Sequence, residues 1–126
     1  MFNINELEGK RQPLTAQHIH EGVRRDCEKC PIALAVADMT AEVIDYPRIA
    51  IDVDGSDYVR FYQRSYRRNH FVGELLISGK LEDWLLRFDN DYPVEAGTLF
   101  VFRQEDEEEG EQLWLGIAYE SDKEAA

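Results

Sequence analysis

The sequence predicts a single α+β domain, a mostly antiparallel sheet with two core helices packed on one face. Three observations predict it. The chain has 126 residues, 44% of them hydrophobic and 11% aromatic, which is enough to bury one core without disulfide or metal staples. The middle and the C-terminal third carry alternating runs of β-branched and aromatic residues bounded by turn residues. Two segments carry helical signatures instead: the apolar run Pro31–Ala37, and the stripe Leu81, Trp84, Leu85 and Phe88 at i, i+3, i+4 and i+7.

Residues 1–13 show no clean periodicity and end on Pro13, so they read as an N-terminal extension, frayed or adding one short edge strand. The domain itself is expected over 14–120, with a solvated tail from 121 to 126. Thr15 is a good N-cap and Gly22 a good C′ residue, which brackets a short helix. Pro31 suits the first position of a second helix, where its missing N–H costs nothing, and Cys30 then becomes the N-cap. The residues that follow are apolar all round, as in a helix sunk in a core.

Strands are predicted over Glu42–Tyr46, Arg48–Val53 and Asp57–Tyr62, with Asp54-Gly55 as the hairpin turn between the last two. Residues 63–73 break the alternation and read as a loop. Ser78 is placed to cap the helix that runs to Asn90, and Asn90-Asp91-Tyr92-Pro93 stops it. The last two strands are Thr98–Arg103 and Gln112–Tyr119, with the acidic run Gln104–Glu111 as the loop of a long hairpin.

Charge narrows the function classes. There are 26 acids against 14 bases, a net charge of −12, which at long range repels nucleic acid and anionic lipid and suits partners with basic surfaces. No apolar run approaches the roughly 18–20 residues needed to span a bilayer, and the N-terminus lacks a basic start and apolar stretch. These features predict a cytoplasmic protein with no membrane contact. Two cysteines in a C-x-x-C are not a disulfide framework.

Three features could carry chemistry. Cys27 and Cys30, with His18 and His20 upstream, are four residues of metal-ligating type. The two histidines are two apart, however, and would point to different sides of a helix, while a charged stretch precedes the C-x-x-C where a redox motif expects a strand. Structural cysteines are the expectation, with no cofactor. The second feature is a basic and aromatic island holding Arg60, Arg64, Tyr66, Arg67, Arg68 and Phe71, where cations and rings could meet phosphates and bases. The third is the acidic run Glu105, Asp106, Glu107, Glu108, Glu109 and Glu111, which could imitate DNA phosphates and occupy a basic groove. Motifs for a nucleophile elbow, a metalloprotease helix and a phosphate-binding loop do not occur.

The segments LTAQHIHEG, CEKCPIALAVAD and LEDWLLRFDNDYPVEAGTLFVF resemble a family of small phage and prophage proteins without an assigned activity. Its recurring features are an H-I-x-x-G helix, a C-P-[IV]-A-L-A helix, and a later helix ending in F-D followed by P-V and an F-x-F strand. The match covers Leu14–Asp38 and Lys80–Phe102; the arginine-rich middle and the acidic C-terminal hairpin depart from the pattern. The resemblance implies a phage origin and places specific function in those additions. The expected function is therefore a non-catalytic accessory protein that binds a host or phage protein with a basic surface, in its sharpest form an anti-defence inhibitor that mimics DNA. The alternative is a nucleic-acid-binding module built on residues 60–71, and a third reading is a small zinc or thiol-redox protein.

Overall fold

The computed structural model describes residues 3–41, 49–55, 57–64 and 68–119. The fold is α+β, with a curled, mostly antiparallel six-stranded sheet. After a 3-10 turn at Ile4–Leu7, the elements run β1 (Arg11–Leu14), α1 (Ala16–Glu21), α2 (Pro31–Ala41), β2 (Ile49–Asp54), β3 (Tyr58–Arg64), β4 (Asn69–Ile77), α3 (Gly79–Asp89), β5 (Gly97–Asp106) and β6 (Gly110–Ala118). The strand order is β1-β5-β6-β4-β3-β2, and every neighbouring pair is antiparallel except β4 and β6. The curl follows from α2, which lies against both edge strands, β1 and β2, while α3 packs on β6.

The local signals explain most boundaries. Thr15 caps α1 by accepting from the His18 N–H. Cys30 caps α2: its Sγ accepts from the Ala33 N–H at 3.5 Å, and Pro31 takes the first helical position. Ile32, Ala33, Ala35, Val36 and Met39 of α2 share one core with Leu81, Trp84, Leu85 and Phe88 of α3, with alternate residues of β2 to β6 and with Leu14 of β1. Trp84 is 2% exposed, donates through Nε1 to the Glu95 carbonyl at 2.9 Å, and stacks on Phe88.

Several expectations need correction. The predicted loop 63–73 is largely strand: β3 continues to Arg64 and β4 starts at Asn69. A bulge lies between the Phe61↔Gly73 and Tyr62↔Phe71 pairs and places Val72 outside the alternation. The acidic hairpin is not a long loop either, because the β5–β6 ladder runs out to Asp106↔Gly110 and leaves only Glu107–Glu109 as the turn. Of the two alternatives for the N-terminal extension, the short edge strand is the one found, β1 paired with β5; what was not expected is that Leu7 before it is fully buried. Ser78 makes no side-chain cap bond. Gly22 has an ordinary φ of −67, so the reason for glycine is space; a Cβ there would sit 2.4 Å from Pro31 Cγ. The strand expected at 42–46 and the tail at 121–126 lie outside the described residues.

Candidate functional site

The C-x-x-C divides by burial: Cys27 is exposed and Cys30 buried, both as free thiols. Burial pushes the Cys30 thiol up to about 11, outweighing the hydrogen bonds from the helix start. A hydrogen bond with Asp52, then burial, raises Cys27 as well. A nucleophilic or redox thiol needs the opposite shift. The Cys27 carbonyl also accepts from the Val53 N–H at 2.7 Å, which pins the loop before α2 to the outer edge of β2. The two cysteines thus fasten α2 and β2.

His18 belongs to a different part of the molecule. Its Nδ1 accepts from the Thr15 N–H at 3.0 Å, completing a reciprocal capping box, and its Nε2 lies 2.7 Å from Asp38 Oδ2 on α2. Both ring nitrogens are engaged within the fold. Among the described residues no group of three His, Cys, Asp or Glu is arranged to hold a metal ion, so His18, His20, Cys27 and Cys30 are not brought together as a site.

The other two features come together through topology. β4 and β6 are parallel neighbours, so their N-terminal ends lie at the same end of the sheet. The β3–β4 hairpin therefore carries Arg64, Arg68 and Phe71 to the end where the β5–β6 hairpin carries its carboxylates. From their shared register at Leu76↔Trp114, β4 runs back to Asn69 and β6 to Gly110, so the β3–β4 arm reaches roughly 7–10 Å further at about 3.3 Å per residue.

The acidic arm is ordered by its backbone. Asp106 Oδ1 accepts from the Glu108 N–H at 3.1 Å, Gly110 takes a positive φ of 77, and Gln112 Nε2 donates to the Glu109 carbonyl at 3.2 Å. Those features close a short turn and hold the strands in register. Glu105 faces Glu111 directly across the ladder, a like-charge pair that costs stability. Among the described residues, no ion pair uses any of the six carboxylates.

The basic arm is less available than its composition suggests. Arg60 Nη1 lies 2.7 Å from Asp54 and its Nε 3.7 Å from Glu74, with the guanidinium over the Tyr58 ring. Arg60 is therefore spent within the sheet. Arg64, Arg68 and Phe71 are exposed, Phe71 by 50% and tilted against Tyr62 at 5.9 Å between centroids. Tyr66 and Arg67 lie outside the described residues.

The 3-10 turn lies on the core side of both arms. Ile4 packs where a Cβ on Gly73 would come, 2.8 Å away, and Arg103 of β5 holds Glu8 at 2.6 Å and Asn5 at 3.0 Å. Sequence reasoning missed these roles for Gly73, Arg103 and the N-terminus. An unexplained glycine in an apolar run was the available signal.

The fold and these features define an acidic α+β protein with two hairpin arms of opposite charge at one end of a curled sheet. Comparison with known proteins found no matching family, no matching curated protein and no matching solved structure. Among the described residues, no helix is long and apolar enough to cross a membrane.

Proposed function

We propose that this chain is a non-catalytic binding protein that presents the β5–β6 hairpin to a basic surface on another protein. The observation that carries this reading is the build of the hairpin. Six carboxylates ride on a paired, capped two-stranded arm, and none is neutralised by an ion pair among the described residues. Crowded like charges hold counterions and repel each other; a basic surface relieves both on contact. The sharpest form of the reading is a phage-type accessory factor that occupies the nucleic-acid groove of a host protein, and it draws on the sequence resemblance as well as on the hairpin. The nucleic-acid alternative is weaker because the arm carrying Arg64 and Arg68 stands beside the acidic arm, which repels the same phosphates.

The test is a six-fold neutralisation: Glu105→Gln, Asp106→Asn, Glu107→Gln, Glu108→Gln, Glu109→Gln and Glu111→Gln. Asp106→Asn keeps the side-chain oxygen that accepts from Glu108. Melting should stay level or rise slightly. Binding to basic proteins captured from a host lysate, then titrated one at a time against salt, should weaken with a flatter salt slope. Equal affinity and slope in parent and variant sinks the proposal.

A further inference from the structure

The sheet is open in its middle. Its β4–β6 register contains only Leu76↔Trp114 and Ile77↔Leu115, although β4 begins at Asn69 and β6 at Gly110. Two bonds fix which backbone groups face the seam. The Ser78 N–H donates to the Leu115 carbonyl across it, whereas the Ile77 N–H donates the other way, to the Asp57 carbonyl. Backbone direction alternates along a strand, so Leu76 and Glu74 turn their N–H and C=O toward β6, and Leu113 and Glu111 turn theirs toward β4. An uninterrupted parallel ladder would next join the Leu113 N–H to the Glu74 carbonyl. That bond is absent among the described residues, as are those beyond it. The arms part here and leave two facing strand edges whose inward backbone groups have no backbone partner.

Exposed strand edges are templates for a further strand. We propose that this notch receives an extended, lysine- or arginine-bearing segment of the partner, added as a strand along the β4 edge beside Glu74 and flanked by the acidic arm. Backbone bonds to β4 on one side, and to the inward amides of Glu111 and Leu113 of β6 on the other, supply the docking. Charge selects the segment: Glu105 and Glu111 on β6's side outnumber the exposed Arg64 and Arg68 on the other once Asp106–Glu109 at the tip are added. The 3-10 turn closes the notch from the core side, where Ile4 covers Gly73, so the segment enters from the open end. The inference rests on the proposed binding role of the hairpin and names the kind of segment it takes.

The probe is a blocked eight-residue peptide alternating lysine and threonine, compared with the same peptide N-methylated at every second residue. Methylation keeps the charge and removes strand donors. Binding is followed by titration and by amide exchange of the full chain. The unmodified peptide should slow exchange of the Leu113 amide at least tenfold, and the methylated one should bind at least tenfold more weakly. Glu111→Pro and Glu111→Gln lose the same charge, but only the proline loses the N–H that faces the notch, which β5 does not use. Glu111→Pro should therefore bind at least fivefold more weakly than Glu111→Gln, with circular dichroism checking that both fold. No binding by the unmodified peptide, equal binding by the two peptides, or equal binding by the two variants overturns the inserted strand. The wider proposal fails separately, if the neutralised hairpin keeps the parent's affinity and salt slope for the captured partner.

Discussion

Replacing His18 by alanine tests how the N-terminal third is held. The side chain is 11% exposed and joins α1 to α2. Removing it orphans the Thr15 N–H, costing about 1 kcal/mol as other N-terminal cap losses do. It also removes the link to Asp38, worth about 0.5 kcal/mol after discounting for an aspartate that is 61% exposed. Loss of the buried ring adds about 1 kcal/mol. The sum is about 2–3 kcal/mol. At roughly 2.1 cal/mol/K of unfolding entropy per residue, that lowers the melting temperature of a chain this size by about 8–11 °C. His18→Gln should recover about 1 kcal/mol, because glutamine at this position can reach back to the Thr15 N–H. Calorimetry on the parent, His18→Ala, His18→Gln and Asp38→Asn measures each part. A His18→Ala variant melting within 2 °C of the parent would refute the reasoning and return His18 to the pool of available ligands.

Trp84→Ala should cost about 3–5 kcal/mol in chemical denaturation, since it empties the contact between α3 and the Glu95 segment and unpairs a carbonyl; a parent-like midpoint would contradict that packing. Gly22→Ala should destabilise clearly despite its ordinary φ, because the Pro31 ring occupies the space, and an unchanged melting curve would show that α1 can shift freely. For Cys30, the folded thiol is raised from 9.0 to about 11, so the folded state holds its proton longer than the unfolded chain. Its contribution is constant below pH 9 and is lost between pH 9 and about 11, by about 2–3 kcal/mol in total. Cys30→Ser, which keeps a capping atom, should lose less stability over that interval, and equal alkaline slopes in denaturant titrations would count against burial as the cause.

The helices were readable because each carries its own signal: the stripe on α3 reports a single buried face, and Thr15, Pro31 and Cys30 mark helix starts. β4 was not readable for a reason its register makes plain. The bulge at Val72 breaks the period of two, and Leu76 is apolar although it faces away from the core side, opposite Trp114. The segment thus shows neither clean alternation nor a loop composition. The acidic hairpin misled in the other direction. Glutamate has a poor strand propensity, but this ladder is set by Asp106, Gly110 and the backbone, which accept any side chain that can reach water. His18 drew attention as a possible ligand when its spacing from Thr15 already matched a capping box. The meeting of the two hairpins at one end depends on a parallel pairing between strands 38 residues apart in register (Leu76 and Trp114), and no local pattern encodes that.

The position of β1 sets the order in which the molecule can be completed. Arg11 pairs with Phe100, and the Gly9 N–H reaches the Val101 carbonyl. Synthesis runs from the N-terminal side, so β1 emerges from the ribosome well before β5, the strand it pairs with. The β2–β3–β4 meander has only neighbouring segments to find and can assemble while synthesis continues. Leu7, Leu14 and the inner side of α2 must wait for β5 with their apolar surface uncovered. Within this domain β1 is thus made before β2–β4 yet locks after them, and the interval until β5 arrives is when this apolar surface is most open to aggregation or to a chaperone.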